Sequence, residues 1–217
     1  MHTFYTHKLP EELEAWMQNP APMRSRNTAT VHCSLVARGV TCISIRHQEL
    51  QGVDSAMVYW WFKYFCYQNL VTANGTPVSA FVLWHPRDHV NFEIEKHSLS
   101  GEIGVCKGAV VSIVKSHGRR LLSSGEARVV DLSNNRFSIK YQNCLHQKVL
   151  ITDDFVDTKS GLLLISNIVK VANRFAQQSE NCFICDADSK NWIEHKIEEI
   201  GNLQIILPIL VEAIPSQ

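Results

Sequence analysis

The sequence lacks an excess of charge of either sign. Its 217 residues include 21 Lys and Arg and 21 Asp and Glu, so the formal net charge is zero with neutral histidines. A balanced chain creates no long-range field that would concentrate it on nucleic acid or on an anionic membrane. The composition therefore argues against nucleic-acid and membrane partners and favours a small neutral or weakly charged ligand.

Long apolar runs and flexible linkers are missing as well. The N-terminal segment MHTFYTHKLPEELEAW has no apolar core of signal-peptide length, and no stretch approaches the roughly 18 apolar residues of a membrane span. We therefore expect a cytoplasmic protein. No internal repeat and no linker rich in Gly, Ser or Pro divides the chain. We expect a single domain over residues 1–217, with a helical extension at 1–30 and the main fold at 31–217.

The cysteines do not form a recognisable framework. There are seven of them, an odd number, scattered in apolar or strand-like surroundings, which is typical of reduced thiols rather than secreted disulfides. Cys182 and Cys185 form a CxxC pair. No second CxxC or HxxxH follows at zinc-finger spacing, and no thioredoxin-like βαβ pattern surrounds the pair. We interpret these two as ordinary strand or turn cysteines.

The first half of the chain carries signals for both helices and strands. Pro10 and the glutamates after it predict a short helix in KLPEELEAWMQN. The β-branched alternation of residues 31–47 predicts one or two strands. Asp54 or Ser55 can cap a helix with a heavy aromatic side, which has to be buried or to line an apolar cavity. The apolar run VSAFVLWHP (78–86) predicts a strand.

The second half resembles an antiparallel meander followed by a helix. Apolar runs recur about every ten residues over 100–172, separated by turn signals such as HGRR, SNN and DTKSG. A final helix begins near Asp188 or Ser189, with Gly201 and Pro208 as interruptions. We expect an α+β fold in which a curved antiparallel sheet grips the long C-terminal helix and leaves an internal cavity. The apolar end of this helix is compatible with a homodimer.

The final helix contains a pair of side chains suited to metal binding. His195 and Glu199 are four residues apart, so they lie on one face and can converge on one ion. The alternative is a solvated charged face, because the neighbouring positions hold Glu194, Lys196 and Glu198.

The segment WHPRDH adds two further imidazoles, His85 and His89, at the end of an apolar run. Either could be a strand-end histidine bonded to the backbone. Combined with the helical pair, however, two imidazoles and one carboxylate make the donor set of a catalytic zinc site with one position left for water or substrate. Asp88 could orient one of the rings.

These segments resemble a known family. WHPRDH (84–89), the YWW of the aromatic helix (59–61) and EHKIEEIGNLQIILP (194–208) are similar to the 2,4-diacetylphloroglucinol hydrolase family, which includes phloretin hydrolase. The likeness spans residues 50–210 and is strongest at WHPRDH and at the terminal HxxxE. It implies a helix-grip fold of the Bet v 1 or START type with a catalytic zinc in the cavity. Such enzymes hydrolyse the carbon–carbon bond between an acyl group and a polyhydroxylated aromatic ring.

The resemblance also implies roles for individual residues. His146 would protonate the ring carbon, zinc-bound water would attack the acyl carbonyl, and Tyr141 would lie near the substrate. A strand histidine without a special role is the alternative for His146. The implied zinc ligands are His89, His195 and Glu199.

Two positions depart from the family pattern. Lys115 stands where a fourth ligand, a glutamate, is expected, and a lysine beside a dication is electrostatically costly. Phe81 replaces a tyrosine that helps to hold the phenolic substrate, and a phenyl ring cannot donate a hydrogen bond. These departures leave two alternatives open, a non-catalytic helix-grip protein or a cyclase-like enzyme. In each case the expected partner is a small hydrophobic aromatic molecule, for the hydrolase an aromatic ketone.

Overall fold

The computed structural model describes residues 7–20, 23–117, 120–142, 147–171 and 187–214. Single turns of 3-10 helix (Arg26–Thr28) and π-helix (Trp61–Phe65) accompany the regular elements. In chain order, those elements are β1 (His7–Lys8), α1 (Glu11–Gln18), β2 (Ala29–Ala37), β3 (Val40–His47), β4 (Leu50–Gln51), α2 (Ser55–Trp60), β5 (Asn69–Val71), β6 (Pro77–Ser79), α3 (Ala80–Trp84), β7 (His89–Lys96), β8 (Val110–His117), β9 (Arg120–Ser133), β10 (Arg136–Gln142), β11 (Lys148–Asp157), β12 (Gly161–Val171) and α4 (Ala187–Ala213).

Most strands belong to one large antiparallel sheet. Its order is β2-β3-β12-β11-β10-β9-β8-β7, and β4 adds a short pairing to β12. From β7 to β12, consecutive strands are neighbours. The apolar runs and turn signals over 100–172 predict this arrangement for β8 to β12. The predicted meander is confirmed. A second, small sheet has the order β1-β5-β6.

The aromatic-rich helix begins where the sequence predicts. Asp54 is its N-cap, and a carboxylate oxygen of Asp54 accepts a hydrogen bond of 2.8 Å from the Met57 amide. After α2 the backbone widens into the π turn. Within this turn Trp61, Phe62 and Phe65 are buried, so the aromatic face enters the core.

The prediction of a strand over residues 78–86 is wrong. Only Pro77–Ser79 is extended, and residues 80–84 form α3, which Ser79 caps by accepting a hydrogen bond from the Phe81 amide. A short apolar run has no periodicity that separates a buried strand from a buried helix. Consequently WHPRDH forms the turn between α3 and β7, closed by hydrogen bonds from the amides of Asp88 and His89 to the carbonyl of His85.

Helix α4 is continuous for 27 residues, so the predicted interruptions at Gly201 and Pro208 are wrong. Pro208 only removes one hydrogen-bond donor. At Gly201 the side chain of Arg24 crosses the helix so closely that a Cβ atom would overlap its carbons. The Arg24 guanidinium then donates to the carbonyls of residues 48 and 49 and to Gln204. Within the described ranges, no helix is long and apolar enough to cross a membrane.

The core lies between α4 and one face of the large sheet. The segment predicted as an N-terminal extension packs into the larger of two apolar clusters through Leu9, Leu13 and Trp16. That cluster also holds the C-terminal half of α4. The smaller cluster surrounds the first half of the helix and contains Ile43, Ile45, Val149, Ile168, Ile193 and Ile197.

Candidate functional site

The structure brings the three predicted metal ligands together between the two apolar clusters. His89 begins β7, while His195 and Glu199 lie one turn apart on α4. His89 Nε2 is 3.3 Å from His195 Nε2 and 3.1 Å from Glu199 Oε2, and the distance between the last two atoms is 3.0 Å. All three side chains are buried. Together with Lys115 we call them the polar centre.

Hydrogen bonds on the outer nitrogens fix how the two imidazoles face this centre. His89 Nδ1 is 2.8 Å from the carbonyl oxygen of Phe81, and His195 Nδ1 is 3.0 Å from a carboxylate oxygen of Asp88. Both partners only accept, so each Nδ1 carries the proton and donates it. His195 Nε2 in turn lies 2.9 Å from Lys115 Nζ, and because an ammonium group only donates, this nitrogen accepts. Burial lowers the pKa of His89 well below its ordinary value, which keeps that ring neutral.

Lys115 completes the polar centre from the neighbouring strand. In the β7–β8 ladder it lies directly opposite His89. Its Nζ is 2.9 Å from His195 Nε2 and 2.8 Å from Glu199 Oε2, distances at which an ammonium group donates hydrogen bonds. Burial lowers the pKa of Lys115, and the Glu199 carboxylate opposes this shift. The Lys115 side chain is 23% exposed, whereas that of Glu199 is 2% exposed.

A second lysine holds the other oxygen of Glu199. Lys196 Nζ is 2.6 Å from Glu199 Oε1 and 2.9 Å from Asp153 Oδ2, and its side chain is only 6% exposed. Burial alone would raise the pKa of Glu199, but Lys115 and Lys196 outweigh it and hold that pKa well below its ordinary value. The alternative of a solvated face fails at Lys196. Its three-residue spacing to Glu199 is the signal that could have identified this pairing.

The hydrogen bonds continue from Asp153 into the sheet. Ser166 on β12 donates to Asp153 Oδ1 over 2.6 Å and accepts from His47 Nε2 on β3 over 2.9 Å. All three residues are buried, and burial lowers the pKa of His47 to about 3, so its ring is neutral. This chain of hydrogen bonds ties the polar centre to β11, β12 and β3, in addition to β7, β8 and α4, which carry its own residues. Sequence reasoning missed His47, Asp153 and Ser166, because no local pattern links strands so far apart in the chain.

His85 does not join the polar centre but fastens the WHPRDH turn to α4. Its Nε2 is 3.1 Å from a carboxylate oxygen of Glu198, which also pairs with Arg87 over 2.7 Å. On the same side, the indole N–H of Trp84 donates to the backbone carbonyl of Glu199 over 2.6 Å. These contacts set the distance between the start of β7 and the helix.

Two of the remaining candidate site residues, Phe81 and Tyr141, lie within the described residues. The Phe81 ring stacks on the His89 imidazole, with centroids 3.9 Å apart and planes at 6°, so it supports the ring from behind. Tyr141 on β10 is half-buried against both apolar clusters, and burial raises its pKa to about 12. His146 lies outside the described residues, as do Cys182 and Cys185.

Aromatic rings occupy the space next to the polar centre. Phe62 stacks on Phe137 at 4.2 Å and meets the edge of Trp84 at 5.6 Å. Lys115 Nζ is 5.9 Å from the ring centroids of both Phe81 and Trp84. Any ligand that reaches Lys115 from this side would have to displace some of these rings.

The donor set fits a zinc ion only in part. Four ligands at zinc bond lengths lie about 3.3 Å from one another in a tetrahedron, and the separations among His89, His195 and Glu199 are close to this value. Lys115 does not fit, because an ammonium group has no lone pair and repels a dication. The complete polar centre therefore does not fit zinc, and the zinc ligand roles remain predictions.

The comparisons with known proteins identify the fold. No family model and no curated protein sequence matches the chain. Among solved structures, a major latex-like protein 151 from Panax ginseng matches with a TM-score of 0.54 and 11% identity, covering 77% of this chain and 97% of that one. Ara h 8.0201 matches with a TM-score of 0.52 and 9% identity, covering 77% and 99%. These likenesses concern the fold alone, and the predicted α+β helix-grip fold is confirmed.

Proposed function

We propose that this helix-grip protein binds a small aromatic molecule bearing an anionic or polarised oxygen, and that Lys115 contacts this oxygen. The observation that supports the proposal is the position of Lys115 Nζ at the border between the polar centre and the aromatic rings. It is also the most exposed of the four groups in the centre, so a ligand can reach it first.

The chemistry of this border favours hydroxylated aryl ketones over aliphatic ligands. Aromatic rings from the π turn, α3 and the sheet offer stacking and edge contacts to a ligand ring. A phenolate, enolate or ketone oxygen would accept a hydrogen bond from the Lys115 ammonium, and charge-assisted bonds in a buried site are the stronger kind. The inner nitrogens of His89 and His195 already face Glu199 and Lys115 and therefore do not compete for this oxygen.

Tryptophan fluorescence tests the proposal, since Trp84 lines the border. An acylphloroglucinol should quench the emission saturably, and acetophenone, which lacks the ring hydroxyls, should bind more weakly. Lys115→Met should weaken acylphloroglucinol binding at least tenfold, because a hydrogen bond to a charged group contributes about 1.5–3 kcal/mol. Lys140→Met, at an exposed position on β10, is the matched control. Equal affinity of the Lys115→Met and Lys140→Met variants would refute the role of Lys115.

The zinc-dependent carbon–carbon hydrolase is the second, rival candidate, and it requires zinc to displace the Lys115 ammonium from His195 and Glu199. The convergence of His89, His195 and Glu199 with both Nε2 lone pairs turned inwards favours it. Incubation with acylphloroglucinols and zinc should then release a carboxylic acid, and His89→Ala and Glu199→Ala should abolish the release. Conversion without acid release would instead indicate the cyclase-like alternative. If the ligand binds and is recovered unchanged, the non-catalytic alternative applies.

A further inference from the structure

We infer that the Lys115 ammonium is the built-in cation of the polar centre, where it takes the place of a divalent metal. The inference concerns charge and geometry and does not depend on which organic ligand the protein binds. Its consequence is specific: the wild-type centre excludes zinc, and a single substitution at position 115 should admit it.

The arrangement of the buried acceptors in the polar centre favours a cation among them. His89 donates outwards through Nδ1, so its Nε2 and the Oε2 atom of Glu199 face each other as acceptors 3.1 Å apart, and His195 Nε2 lies within 3.3 Å of both. Buried acceptors in such a cluster require a donor or a positive charge among them.

Lys115 already supplies a positive charge at this place. Its Nζ lies within hydrogen-bond distance of two of the three acceptors, at 2.9 Å and 2.8 Å. The β7–β8 register fixes this position, because Lys115 pairs directly with the residue that begins β7. A metal bonded to the same two atoms would therefore compete with the ammonium group for the same lone pairs.

The charge balance around the polar centre also opposes a further dication. Asp88, Asp153 and Glu199 contribute three negative charges, and Lys115 and Lys196 contribute two positive ones. Both oxygens of Glu199 already contact an ammonium group. Adding a dication would leave this buried cluster with a net positive charge and two lysines facing the metal, which is unfavourable in a medium of low dielectric constant.

Replacing Lys115 by glutamate reverses these conditions. Lys115→Glu removes the ammonium and adds a fourth donor, a second carboxylate, from the same strand position, opposite His89. Two imidazoles and two carboxylates form a donor set that binds zinc. Lys115→Met is the intermediate case, because it removes the positive charge without adding a donor.

The test measures zinc directly. Purified wild type, Lys115→Glu, Lys115→Met and the exposed control Lys140→Glu are titrated with zinc against a chromophoric chelator, and bound metal is counted by mass spectrometry after gel filtration. We expect one zinc per chain in Lys115→Glu, at least roughly a hundredfold tighter than any binding in wild type, with Lys115→Met in between. The Tm of Lys115→Glu should rise with zinc and fall with EDTA, and adding His89→Ala should abolish both effects.

Two results would overturn the inference. One is stoichiometric zinc in wild type that disappears in His89→Ala. The other is that neither substitution at position 115 gains zinc although circular dichroism shows that Lys115→Met is folded. Neither result involves an organic ligand, so a failed ligand titration and a failed metal titration remain separate findings.

Discussion

Lys196→Met tests whether the charged face of α4 is truly buried. Lys196 contacts Asp153 at 2.9 Å and Glu199 at 2.6 Å, and each carboxylate side chain is 2% exposed. Removing one partner of a buried ion pair costs about 3–5 kcal/mol, because the other charge stays buried without compensation. Glu199 retains its ion pair with Lys115, so the main charge left without a partner is that of Asp153. We therefore expect a loss of about 3–4 kcal/mol.

Urea unfolding measures this loss. With a slope of about 2–3 kcal/mol per molar urea, the midpoint should fall by about 1–2 M. Lys190→Met, at an exposed position on the same helix, is the matched control and should change stability by no more than about 0.5 kcal/mol. Adding Asp153→Asn to Lys196→Met should recover part of the loss, since it removes the orphaned charge. If Lys196→Met behaves like Lys190→Met, the buried network described above is wrong.

Three further predictions test local features. The buried His47 has a pKa of about 3 in the fold against 6.5 for the free side chain, so the free energy of unfolding should fall by about 1.4 kcal/mol per pH unit below pH 6.5. Urea unfolding at several pH values should show a smaller slope for His47→Gln. Asp54→Ala should cost about 1 kcal/mol and Asp54→Asn almost nothing, and equal costs would contradict the cap. Gly104 and Gly75 have nearly equal φ of +85° and +84°, but only at Gly104 would a Cβ collide with a backbone carbonyl, that of Lys63. Gly75→Ala should cost about 1–2 kcal/mol from backbone strain, and thermal unfolding should show a clearly larger loss for Gly104→Ala.

The parts of the fold that follow local rules could be predicted from the sequence. The cap at Asp54, the strand pairings over 100–172 and the shared face of His195 and Glu199 all depend on residues close in the chain or on regular turns. The two-residue alternation of a strand and the 3.6-residue turn of a helix are visible directly in the order of apolar and polar residues. The short run at 80–84 is ambiguous because all five of its residues are apolar, so it shows neither period.

The burial of Lys196 could not be predicted because it depends on how completely the sheet surrounds α4. A surface helix keeps its charged residues in water, and EHKIEE has the composition of such a face. Here, however, the helix is buried on nearly all sides, and Glu194 is the clearly exposed position in that segment. The carboxylate that makes this burial tolerable is Asp153, more than forty residues earlier in the chain. Only the assembled sheet brings the two together.

The crossing of Arg24 over Gly201 has a practical consequence for engineering. Glycine in the middle of a long helix is an obvious target for replacement, because alanine usually gains about 1 kcal/mol there. In this protein the Arg24 side chain occupies the space that a methyl group at position 201 would need. From there it hydrogen-bonds both to α4 and to the connection between β3 and β4. A Gly201→Ala variant would favour the helix in an isolated peptide. In the folded protein it would displace the Arg24 side chain and weaken the hydrogen bonds that hold α4 to this connection.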